Sequence, residues 1–131
     1  MVEQDPTAEQ VDHFILEQVD SVPHLEALLL AWRHRPKAWT ISEMASALYV
    51  PAELAEKILR ELGQRNLLLE LPQTPQRFEY RSNSPQQDDL IARVDQTYRR
   101  ELIRITRMIH SKVPTSLREF ARAFRFSQEK D

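Results

Sequence analysis

The side chains best placed for chemistry lie on one helix-length stretch. Between residues 52 and 62 the apolar residues Leu54, Ala55, Ile58, Leu59 and Leu62 recur at helical spacing, which turns Ala52, Glu53, Glu56, Lys57 and Arg60 to the opposite face. A lysine and an arginine one turn apart are donors for phosphate oxygens, and arginine also pairs with guanine edges in a major groove. Glu53 and Glu56 work against that chemistry, because carboxylates repel a phosphate backbone, although glutamate accepts from the cytosine amino group. Acids at the start of a helix also favour the positive end of its dipole, a purely local reason for both. Arg77 and Arg81 add bases on the stretch that follows.

A second charged constellation spans the C-terminal third. Arg93, Arg99, Arg100, Arg104, Arg107, Lys112, Arg118, Arg122 and Arg125 face only Asp95, Glu101 and Glu119, while residues 1–21 carry six acids and no Lys or Arg. One reading is a basic face for nucleic acid or an acidic partner. The other, favoured because isolated charge asymmetry is weak evidence, is an acidic N-terminal helix packed beside a basic C-terminal one, within the chain or across a dimer.

Other chemistries find little support. His13, His24, His34 and His110 show no metal-ligand spacing, and the absence of cysteine removes disulfides and thiolate metal sites. With a single glycine there is no phosphate-cradling loop and no nucleophile elbow. We therefore expect no enzyme, no cofactor and no metal. The longest apolar run, Leu25 to Trp32, is too short to span a bilayer, and the acidic start does not resemble a secretory leader, so a soluble, cytoplasmic protein is expected.

The elements that must position these residues are mostly helical. Thr7 and Gln10 form a capping box ahead of a helix with the apolar stripe Val11, Phe14, Ile15 and Val19. Pro23 opens a second helix that buries Leu25, Leu28, Leu29 and Trp32 and stops before Pro36. Thr40 and Glu43 form another capping box, with Trp39 and Met44 as a hydrophobic staple, and that helix buries Ile41, Met44, Ala45 and Leu48. Pro51 begins the next helix, and Asn66 suits a left-handed exit from it. Gly63 lies inside that helix, with close packing as its only rationale. Residues 67–71 and 77–81 read as strands of a hairpin whose tip, 72–76, is polar and proline-containing. Ser84 and Gln87 cap a long helix expected to run to about Ser111, and Ser116 and Glu119 cap a last short one bearing Phe120 and Phe124.

Helix, tight turn near 49–51, helix, then strand is the order in which a winged helix-turn-helix begins. Residues 22–82 resemble that domain in the broad class that includes the MarR-like bacterial regulators. The resemblance rests on Glu43-Met44-Ala45 and Leu48 in the first motif helix, Ala55, Leu59 and Leu62 in the second, Asn66-Leu67-Leu68 at its exit, and the hairpin after it. It implies a mainly α fold, a three-helix core with a β-hairpin wing plus an added N-terminal helix and a long C-terminal helix. The implied organisation is an acidic helix over 1–21, the winged domain over 22–83 and a dimerisation region over 84–131.

By the same resemblance, the chain is expected to be a DNA-binding transcriptional regulator acting as a homodimer. Ala52, Glu53, Glu56, Lys57, Arg60 and Arg77 would then meet double-stranded DNA. The alternative is a winged-helix module that has lost DNA affinity and holds a protein partner, which the acids on its second motif helix favour. Ile91, Val94, Tyr98, Leu102, Ile105 and Ile109 recur every three or four residues in the long helix. That seam is expected to pair two subunits, to pack on its own domain, or to do both.

Overall fold

The computed structural model describes residues 5–112. The expected short aromatic helix after Ser116 lies outside that range. In chain order the elements are α1 (Ala8–Gln18), α2 (Val22–Arg33), β1 (Trp39–Thr40), α3 (Ile41–Leu48), α4 (Ala52–Gln64), β2 (Leu68–Leu71), β3 (Arg77–Tyr80), α5 (Pro85–Arg100) and α6 (Leu102–Ser111). The three strands form one antiparallel sheet in the order β1-β3-β2.

Local signals set most boundaries. Both reciprocal capping boxes form, Thr7 with Gln10 and Thr40 with Glu43. The staple residues Trp39 and Met44 are both buried. Ser21 and Ser84 cap α2 and α5 by accepting from the His24 and Gln87 N–H groups. Pro51 stands one residue earlier than expected, as the N-cap of α4, with no side-chain cap there. At the far end of α4, Asn66 adopts φ 61°, Leu67 N–H donates to Leu62 C=O and Asn66 N–H donates to Gly63 C=O, a complete Schellman closure. The same closure ends α3 at Tyr49, which holds φ 57° while its side chain is 95% exposed. A tyrosine in the left-handed region is uncommon, and here it sets the sharp turn between α3 and α4.

The core forms where α2 meets α4, β3, α5 and α6. Leu25, Leu28 and Leu29 from α2 pack with Ile58, Leu59 and Leu62 from α4, Phe78 from β3, and Ile91, Val94, Ile105 and Ile109 from α5 and α6. Alternation along β3 turns Phe78 and Tyr80 inward and Arg77 and Glu79 outward. Trp32 is only half-buried: the Arg35 guanidinium lies 3.3 Å from its ring centroid and Tyr80 meets it edge-on at 5.1 Å.

Two further features depart from the sequence reading. The extended Trp39–Thr40 segment is a third strand, pairing Trp39 with Phe78 and Thr40 with Arg77. The long C-terminal helix is two helices meeting at Glu101 (φ −128°, ψ 45°), where no proline or glycine marks a break. The bend lays α6 beside α1, where Arg104 pairs with Asp12 at 2.9 Å and Lys112 donates to Leu16 C=O at 2.6 Å. The acidic α1 thus packs on the basic C-terminal helices within one chain.

Candidate nucleic-acid interface

The outer face of the helix-turn-helix is set by burial. Ala55, Ile58, Leu59 and Leu62 point into the core, leaving Ala52, Glu53, Lys57 and Arg60 exposed and Glu56 half-exposed along α4. The α4 N-terminus, uncapped by any side chain, lies at the same end. Its free N–H groups and dipole form a positive patch at backbone level. The β2–β3 hairpin flanks this face and closes the three-stranded sheet.

Two of the three bases on this face are already engaged. Arg60 donates to Glu56 Oε1 at 2.9 Å, to Glu70 Oε1 at 3.3 Å and to Gln76 at 3.0 Å, and Gln76 in turn donates to Glu70. The hydrogen bond it donates to Glu56 is the main reason its guanidinium pKa is raised. This network ties α4 to the hairpin across ten and sixteen residues of sequence. Arg77 donates to the Ala38 C=O at 3.1 Å and lies 3.4 Å from Glu43. The Thr40 backbone N–H, more than any charge, holds the Glu43 carboxyl below its usual range. Lys57 has no ion-pair partner among the described residues.

Of the six seam residues, expected to pair two subunits, to pack on their own domain or to do both, five pack within the chain. Ile91, Val94, Tyr98, Ile105 and Ile109 are buried in the chain's own core, and Tyr98 also donates to Glu26 at 3.0 Å. Only Leu102, 50% exposed, remains on the surface, next to Ile103 at 68%. The periodic seam is therefore a core stripe, because α1 and α2 cover it. Of the two readings of the C-terminal bases, the favoured one, packing against the acidic N-terminal helix, is the arrangement seen: Arg104 is shared by Asp12 and Glu101, and Arg99 reaches Asp95 at 3.4 Å.

Several participants were missed from sequence. Glu70 and Gln76 reach Arg60 from the hairpin, and Tyr49 projects from the turn into solvent. The spacing of Glu56 and Arg60, four residues apart, was a visible sign that Arg60 would have a local partner.

This arrangement defines a winged helix-turn-helix protein. More narrowly, its fold is that of the MarR-like regulators. MepR, a transcription regulator of the Staphylococcus aureus multidrug efflux pump MepA, superposes with a TM-score of 0.53 over 93% of this chain and 87% of its own, at 12% identity. A MepR variant bound to an oligodeoxyribonucleotide gives 0.52 over 93% and 86%, at 14% identity. A MarR family protein from Bacillus stearothermophilus gives 0.50 over 93% and 82%, also at 14% identity. No family model matches the sequence, and neither does any curated protein. No helix among the described residues is long and apolar enough to cross a membrane.

Proposed function

We propose that this chain is a DNA-binding transcriptional regulator that acts as a homodimer, with α4 entering the major groove and the hairpin lying against the adjacent backbone. The observation that carries this reading is the exposed first half of α4, whose N-terminus is uncapped and whose outward residues are Ala52, Glu53 and Lys57, in a fold shared with a protein solved on an oligodeoxyribonucleotide. Small residues and free backbone N–H groups at a helix N-terminus allow close approach to phosphates. Lys57 is the first phosphate contact. Arg60 becomes the second by exchanging Glu56 and Glu70 for phosphate oxygens, and Glu53 or Glu56 accepts from a cytosine amino group. Leu102 and Ile103, the exposed apolar pair on α6, give the second subunit its apolar contact.

A second reading, a protein-binding module without DNA affinity, is favoured by one observation: Arg60 and Arg77 are both neutralised by carboxylates on the face where DNA would lie. Charge reversal on α4 tests the first reading. Lys57→Glu together with Arg60→Glu abolishes duplex binding if α4 is the reading helix. Binding that persists unchanged places the DNA surface elsewhere on the chain.

A further inference from the structure

We propose that Asp20, His24 and Glu61 form a binding site for a divalent transition-metal ion, zinc by ligand type, which joins the α1–α2 turn to the second half of α4. The three residues each offer one ligand atom, and these atoms lie within 4.8 Å of one another. His24 is only 7% exposed, whereas both carboxylates are about one-third exposed. Zinc holds nitrogen and oxygen ligands at about 2.0–2.1 Å, which sets ligand atoms roughly 3.3 Å apart around a tetrahedron. His24 Nε2 and Glu61 Oε1 already stand 3.2 Å apart. Asp20 supplies the third ligand and water the fourth.

The histidine is also oriented as a ligand is. Its Nδ1 lies 2.6 Å from Ser21 Oγ, which accepts from the His24 backbone N–H as well. A hydroxyl can serve either imidazole tautomer. With Nδ1–H donating to Ser21, the Nε2 lone pair faces the ion. With Nε2–H donating to Glu61, the Ser21 hydroxyl donates to Nδ1 instead. Such an outer partner fixes ring orientation in metal sites. One imidazole with two carboxylates and no thiolate suits zinc, iron(II) or manganese, and zinc binds tightest of these by the usual order.

Arg65 opposes the ion. It holds Asp20 through both carboxylate oxygens, at 2.9 and 3.2 Å, and also donates to Glu17 C=O at 2.7 Å. Metal entry therefore displaces Arg65 from at least one oxygen. Because Arg65 caps α4 and Glu61 lies one turn before it, occupancy changes how α4 is fastened to the α1–α2 turn. The site does not depend on what the outer face of α4 binds.

The test is titration of zinc into the metal-stripped full chain, followed by calorimetry and by thermal melting. One zinc per chain is expected, raising the melting temperature. His24→Gln and Glu61→Gln each weaken binding at least about tenfold, and Ser21→Ala weakens it by about the same factor through loss of orientation. Glu61→Gln sits on the half-exposed side and leaves the core intact, so it remains informative if His24→Gln fails to fold. Arg65→Gln, which removes the competing cation, tightens binding. Cobalt(II) gives a visible absorption band that His24→Gln loses. No saturable zinc binding by the folded chain, or an affinity unchanged in Glu61→Gln, overturns the proposal.

Discussion

Asp95 is the most buried carboxylate among the described residues, and it pairs with Arg33 at the end of the helix that leads into the helix-turn-helix. It lies on α5 and is 8% exposed, with Arg33 of α2 donating Nε–H to it at 2.7 Å and the second guanidinium nitrogen at 2.6 Å. Arg99 reaches its other oxygen at 3.4 Å. Arg33 is the last residue of α2, so this pair pins the helix leading into the motif against the C-terminal layer. Exposed pairs contribute about 0–1 kcal/mol, and removing one partner of a fully buried pair costs about 3–5 kcal/mol. Side-chain exposures of 29% for Arg33 and 12% for Asp95 put this pair between those limits. Asp95→Ala should therefore cost about 2 kcal/mol, because the Arg33 guanidinium loses the acceptor against which it is partly covered. An unfolding entropy of about 2.1 cal/mol/K per residue turns that into a fall of roughly 7 °C in melting temperature. Asp95→Asn keeps one acceptor and should lose about half as much. Circular dichroism melts of both variants beside the parent decide the matter. A melting point for Asp95→Ala within about 2 °C of the parent would refute the claim that this pair fastens α2 to α5.

Further outcomes follow from single features. Gly63→Ala should stabilise the fold by about 0.5–1 kcal/mol, read as a rise in melting temperature, because alanine is the better helix former. An added Cβ meets only the Leu68 carbonyl oxygen, at 3.9 Å, so any loss of stability would contradict this. Arg60→Gln removes one proposed phosphate contact, and the slope of log affinity against log salt for duplex DNA should become shallower by about 0.9 per subunit. An unchanged slope would mean that Arg60 does not reach phosphate. Burial first, and then its hydrogen bond to Glu26, push the Tyr98 hydroxyl up to about 12. An unfolded tyrosine titrates near about 10, so this contribution to stability is complete below that pH and is lost as pH rises through the folded value. Tyr98→Phe should flatten the alkaline fall in stability over that window, as read by denaturant melts; an equally steep fall would contradict it.

How much was legible depended on whether a feature is local. Thr40 with Glu43, Ser84 with Gln87, and Asn66 at the helix exit act over three or four residues, so their chemistry can be read directly from the chain. The buried face of α4 follows from periodicity in the same way. The stripe of Ile91, Val94, Tyr98, Ile105 and Ile109 was equally visible, but periodicity reports that a face is covered and not by what. Here α1 and α2 cover it. The break at Glu101 carries no local signal and places Leu102 outside. The partners of Arg60 on the hairpin and the meeting of Asp20 with Glu61 are products of the tertiary fold, separated by ten or more residues in sequence. His24 shows no ligand spacing along the chain, yet folding brings two carboxylates to it.

If the chain is a DNA-binding regulator, the exposed half of α4 meets nucleic-acid phosphates. The most direct measurement is the affinity of the unmodified protein for random-sequence duplex DNA across a salt series. Binding should be measurable at low salt and weaken linearly on a log–log scale, with a slope near −0.9 for each phosphate neutralised. Absence of binding at about 50 mM salt, where phosphate contacts are strongest, would contradict it and leave the protein-binding reading of the same face.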